Sequence, residues 1–185
     1  SLNILGRVAK QVATYDSRVL VANNNPIVYS ISQEVVREGF TAAGRPDLYN
    51  RDDIFMCASE QFPFTAAVAG IMAREKPAAN FFMGYFYAEA LILAEVGAES
   101  GAIQICGTDA FTQLPFFITT CDYTLIGEEL YAASAYLSRE PKLLGTLKAQ
   151  DWAKALIAVL IFSGVVLSFV IPKWNVIELI LKIYD

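Results

Sequence analysis

Eight residues stand where this chain could do chemistry: Asn23, Asn25, Ser59, Glu60, Glu89, Thr108, Asp109 and Asp122. In an open α/β sheet, ligands gather beyond the carboxyl ends of the strands, and each of these residues ends or closely follows a run that reads as a strand. Four are carboxylates from four different connections, Glu60, Glu89, Asp109 and Asp122. Their convergence would suit a hard divalent cation or a polar ligand. Strand ends also need Asn, Asp, Ser and Thr for caps and turns, so Asn25 and Asp122 have a purely structural use as well. No loop carries GxGxxG or GxxxxGK[ST], and the Gly107-Thr108-Asp109 step is short of any phosphate-cradling pattern. The pattern names neither a cofactor nor a dedicated set of metal ligands.

Composition removes several chemistries. The 185 residues contain no histidine, so Ser-His-Asp and Cys-His activation, HExxH zinc sites and imidazole pH switches are not available to this chain. Lys and Arg number 14 against 19 Asp and Glu, and the basic residues are scattered singly, which argues against nucleic acid as a partner. Cys57, Cys106 and Cys121 sit in or beside apolar runs without CxxC spacing and read as buried, reduced thiols. A nucleophilic Cys121 would need a nearby cation, whereas the helix after it opens with Glu128 and Glu129. With no N-x-[ST] acceptor either, these features favour a domain facing the cytoplasm.

The elements that would position the eight residues follow from periodicity. Apolar runs at 18–22, 54–58, 81–86, 102–106 and 116–121 read as strands and alternate with helix-length segments. The fold class expected is α/β, an open, mostly parallel sheet with helices on both faces, followed by a C-terminal transmembrane helix. Asn25-Pro26 supplies an N-cap and an N1 proline for a helix burying Ile27, Val28, Ile31, Val35 and Val36. A helix from Pro63 to Arg74 ends at Lys76-Pro77, and the next one turns Leu91, Ile92 and Val96 inward with Glu95 outward. Nine residues, 107–115, separate the fourth and fifth runs, which is too few for a usual crossover helix. A last helix runs from Glu128 to about Arg139.

Hydrophobic residues make up 55% of the chain, above the usual share for soluble domains, and the excess gathers near the end. Residues 155–172 are eighteen positions without a charge, long enough for about 27 Å of helix. Trp152 and Trp174 bracket the run with Lys154 and Lys173, the flank expected at a bilayer interface. The organisation read from this is a globular domain over 1–144, a transmembrane helix with flanks over 145–174, and an amphipathic tail over 175–185. Lys142, Lys148 and Lys154 before the run, against Lys173 and Lys182 after it, put the globular side in the cytoplasm. The opening helical pattern, Ile4, Leu5, Val8, Ala9, Val12 and Ala13, begins abruptly, and an upstream part of the domain is expected.

The segments EKPAANFFMGYFYAEALILAE (75–95) and GTDAFTQLPFFITTCDYTLIGEELYAASAYLSREP (107–141) resemble a family of uncharacterised prokaryotic membrane-associated proteins that carry a domain of unknown function. The resemblance covers residues 4 to about 171. It implies membrane association, and a complete domain preceded by an N-terminal membrane helix and an additional strand. It transfers no reaction and no residue role.

Two functions follow as expectations. One is a membrane-anchored assembly or scaffold subunit, its partners the lipid bilayer and either copies of itself or other membrane-protein subunits. The other is a membrane-bound small-ligand-binding domain, or a cation-dependent enzyme, using the strand-end carboxylates.

Overall fold

The computed structural model describes residues 2–170. In chain order the elements are α1 (Leu2–Thr14), β1 (Val21–Asn23), α2 (Pro26–Ala42), β2 (Ile54–Met56), α3 (Gln61–Glu75), β3 (Ala79–Met83), α4 (Glu89–Glu99), β4 (Ile103–Thr108), α5 (Leu114–Thr120), β5 (Tyr123–Ile126), α6 (Glu129–Ser138) and α7 (Pro141–Val170). The chain divides into two compact units between Arg139 and Glu140. The expected tail over 175–185 lies outside the described residues.

All strand pairing is parallel, as expected, and forms two small ladders, β1-β2 and β3-β4-β5. Parallel neighbours need a crossover between them. α2 supplies it for the first ladder, and α4 and α5 for the second. Side chains alternate along a strand, so each ladder serves two layers. In β1, Val21 packs with Val36 and Phe40 of α2, whereas Ala22 turns to the other core with Phe64 of α3 and Leu93 of α4. In β4, Cys106 joins Leu93 and Phe117, while the next residue, Gly107, meets Leu130 of α6. Helices therefore flank the strands on both faces. α1 packs along α2 and against α6, α3 packs on α4, and α4 on α5.

The Asn25-Pro26 signal does what its chemistry requires. Asn25 is the extended N-cap of α2, and its Oδ1 accepts from the Ile27 N–H at 2.9 Å and the Val28 N–H at 3.4 Å. Asn25→Ala is expected to lower the stability of the globular unit by about 1 kcal/mol, with Asn25→Asp close to neutral, as read from urea unfolding midpoints. At the other end of the β1-β2 ladder, Arg18 Nε and Nη2 both donate to Oδ1 of the buried Asp53, at 2.9 and 2.6 Å.

Three expectations need correction. α2 buries Ser32, Val36, Gly39 and Phe40 and leaves Ile27, Val28 and Ile31 exposed. The physical reason is close approach to α1, because a Cβ on Gly39 would stand 2.9 Å from Ala9 Cβ and 3.1 Å from the Gly6 carbonyl oxygen. α4 repeats the pattern: Ala90, Leu93, Ala94 and Gly97 face inward while Leu91 and Ile92 are exposed, although Val96 and Glu95 face as expected. A Cβ on Gly97 would lie 2.2 Å from Gln104 Oε1 and 3.2 Å from Phe82 Cζ, so a larger residue would force the buried Gln104 side chain to shift.

The third correction concerns the run at 116–121, which is not a strand. It lies in α5 and its C-cap, and the fifth strand follows at Tyr123–Ile126. Pro115 stands at the start of α5, where its fixed φ suits a helix. The hydroxyls of Thr119 and Thr120 accommodate the helical backbone by donating to the Pro115 and Phe116 carbonyls. This seven-residue helix is the crossover that the β4–β5 ladder needs.

α7 is 30 residues long and starts at Pro141, four residues before the expected onset at Gly145. Over Pro141–Leu167 it is long and apolar enough to cross a membrane, and none of the apolar window is buried inside the chain.

Candidate functional site

The structure places the eight candidate residues at different depths and at both ends of the strands. Asn23 is the last residue of β1 and is buried, its Oδ1 accepting from the Ser32 hydroxyl of α2 at 3.2 Å. Asn25 caps α2. Ser59 and Glu60 are exposed in the turn before α3, and Glu60 takes the N-cap position without a side-chain cap bond. Glu89 is the first residue of α4 and is buried, and its Oε2 has no hydrogen-bond partner among the described residues. Thr108 is fully buried at the end of β4, where its Oγ1 accepts the Ala110 N–H at 3.1 Å and shapes the turn.

Asp122 lies at the opposite end of the ladder from Asp109. It precedes β5 instead of following it, and its Oδ2 accepts the Gln104 N–H at 2.8 Å near the start of β4. This carboxylate therefore ties the amino ends of two strands together. The four carboxylates expected to converge are thereby split between the two strand ends. Among the described residues no group of three or more acidic or Cys side chains is placed to hold a metal ion.

One cleft does form at the carboxyl ends of β3 and β4. It has a volume of about 240 Å³ and is lined by Gly84, Tyr85, Asp109, Leu130, Tyr131 and Ser134. Gly84 extends the ladder one step past β3 by donating its N–H to the Gly107 carbonyl at 3.1 Å, and a Cβ there would meet nothing within 4 Å. Tyr85 is held from the side by Tyr87, the rings edge-to-face with centroids 4.9 Å apart. On the far wall, the Tyr131 hydroxyl makes a long 3.4 Å bond to Asp109 Oδ2. α6 is aimed at this spot by the turn at Gly127, whose left-handed φ of 56° costs glycine least. Glu129 reinforces the turn as its Oε2 accepts the Ile126 N–H at 2.9 Å.

Of the eight candidates, Asp109 is the one that lines this cleft. Tyr85 belongs to the apolar run at 81–86, but Tyr131 and Ser134 are additions from the structure. A signal for them was present, because they lie three apart at the start of the helix that follows the last strand, and such positions share a helix face at a strand's carboxyl end.

Of the three thiols expected to be buried, Cys106 is, whereas Cys57 and Cys121 are only half-buried. Cys106 is fully buried and its Sγ lies 3.4 Å from Thr124 Oγ1. Hydrogen bonding with Cys106, then burial, push the Cys121 thiol far above its ordinary range, with the neighbouring Asp122 adding a smaller push. The direction is the one expected, but the main cause is Cys106 and not the glutamates of α6. Burial alone raises the Cys57 thiol.

The model of a family described as Domain of unknown function (DUF6754) matches residues 1–179. No curated protein and no solved structure matches the chain.

Proposed function

We propose, for a chain that belongs to this family of unknown function, the role of a membrane-anchored α/β assembly subunit whose globular unit pairs with a second copy of itself. One observation carries the reading. In the β3-β4-β5 ladder Phe81, Ile105 and Tyr123 stand in register, so they share a face with Ile103, two residues before Ile105. Leu130 of α6 covers this face only toward its carboxyl end, near Gly107. Toward the amino end Phe81 is 43% exposed, Ile103 54% and Tyr123 66%. Parallel sheets are ordinarily covered on both faces, and contiguous exposed apolar surface marks an interaction site.

The bilayer is the second partner. An unburied apolar helix of this length gains most by entering hydrocarbon. Lys142, Lys148 and Lys154 precede the uncharged run and favour a globular unit on the cytoplasmic side.

The full chain reconstituted in nanodiscs, with particle mass measured by light scattering, tests the pairing. Two or more copies per particle are expected, falling to one in the double variant Ile103→Glu, Tyr123→Glu. Both side chains are largely exposed, so circular dichroism should show the fold retained. A monomeric wild type, or a double variant with unchanged stoichiometry, overturns the reading.

A further inference from the structure

We propose that the cleft between Tyr85 and Tyr131 binds a small organic ammonium ion, a ligand that self-association neither requires nor supplies. The lining decides the sign of the ligand's charge. Asp109 is its single charged side chain, and no Lys or Arg lines it, so a phosphate or carboxylate would meet a like charge and no counter-ion. An ammonium group would meet a carboxylate. Asp109 already accepts from Tyr131 on Oδ2, but its carboxylate keeps a full negative charge that attracts a quaternary ammonium as well as one carrying an N⁺–H.

The remaining lining suits the same class. Tyr85 and Tyr131 are 57% and 59% exposed and both line the cleft, where aromatic rings favour a cation over an anion. Tyr87 packs against Tyr85 in a T-shaped pair, which restricts that ring before any ligand arrives and lowers the ordering cost of binding. Gly84 leaves the entrance unobstructed and Ser134 adds one hydroxyl for a hydroxyl or N–H on the ligand. At about 240 Å³ the cleft is below the usual range for drug-sized molecules, so it fits a head group of a few heavy atoms. A free amine and the ammonium head of a phospholipid share this chemistry.

The test uses the full chain in maltoside micelles, titrated with choline chloride, with binding read from saturation-transfer NMR of the trimethylammonium protons. Saturable binding on the order of millimolar is expected, while sodium acetate and sorbitol give no saturable signal. Asp109→Asn should weaken binding by about tenfold or more, Tyr85→Leu by about threefold to tenfold, and Tyr131→Phe, which keeps the ring, by about twofold at most. Because Tyr85 and Tyr131 are exposed, their variants stay informative even if Asp109→Asn disturbs the turn. Absence of saturation by choline, binding unchanged in both Asp109→Asn and Tyr85→Leu, or equal binding of acetate overturns the proposal. Glycerophosphocholine separates the two sources: weaker binding than choline assigns the site to a free amine, and tighter binding assigns it to a lipid head group.

Discussion

Replacing Phe117 by alanine is expected to cost the globular unit about 3–5 kcal/mol, a large part of the stability of a domain this size. Phe117 is fully buried, and its ring stacks on Phe82 of β3 at 6.1 Å and meets Phe86 edge-on at 5.3 Å. Removing it leaves a ring-sized cavity among Phe64, Leu93 and Cys106, whose backbones are held in α3, α4 and β4 and cannot collapse inward. The main-chain carbonyl of residue 117, which accepts the Cys121 N–H at 2.8 Å and the Thr124 hydroxyl at 3.3 Å, is kept in the variant, so the loss reads packing and not the step from α5 into β5. Urea unfolding of the full chain in micelles, followed by near-ultraviolet circular dichroism, reads the change. The neighbouring Phe116→Ala, at a half-exposed ring, should cost under about 1.5 kcal/mol. Equal effects for the two would mean that α5 does not bury the face described.

The segment around Phe117 also shows where sequence patterns mislead. FFITTC is rich in aromatic and β-branched residues, and propensity assigns it to a strand. Topology overrides propensity here. A parallel β4–β5 pair must be joined by a crossover, and the nine residues left by the strand assignment could not supply one. That shortfall was visible in the sequence, and Pro115 marked the helix start that resolves it. Local signals with a single mechanism fared better: Asn25-Pro26 began α2, and Lys76 at φ 43° closed α3 just before Pro77. In α2 and α4 the error had one cause. Bulky Ile and Leu were given the buried face, whereas close helix packing selects the stripe with Gly39 or Gly97 and leaves Ile27, Ile31, Leu91 and Ile92 outside. Reading the small residues as the contact face would have corrected both.

The candidate site was legible only as far as the strand ends were placed correctly. Asp109 was found because β4 ends at Thr108, two residues past the apolar run at 102–106, which leaves Asp109 just beyond the strand where the carboxyl-end rule applies. Asp122 was displaced to the wrong end of the sheet by the misassigned fifth strand, so its role as a backbone acceptor for Gln104 could not be read. Asn23 and Thr108 are polar residues at strand ends, but both turn inward and satisfy internal bonds. Position along the chain does not distinguish an inward from an outward side chain at the last residue of a strand, because a one-residue shift reverses its face. Tyr131 and Ser134 enter from α6, and their approach depends on a left-handed turn at Gly127 whose direction periodicity does not encode.

The second large effect concerns α7. Leu160→Arg is expected to move the chain out of the membrane fraction by adding up to about 2.5–3.5 kcal/mol to insertion, roughly a hundredfold in the partition ratio. Leu160 lies about a turn and a half inside the uncharged run that begins at Ala155, too far in for an arginine to reach the interface easily toward Lys154. The side chain is largely exposed, as are Leu156, Ile157, Val159 and Ile161, so the substitution disturbs little packing within the chain. A change in localisation would thus report on lipid and not on folding. Leu160→Phe, apolar and similar in size, should stay with the membrane. Resistance of the wild type to carbonate and high salt, with release only by detergent, completes the expected pattern. Release of the wild type by carbonate alone, or an unaltered distribution of Leu160→Arg, would leave α7 a surface-bound or partner-bound helix instead of a span.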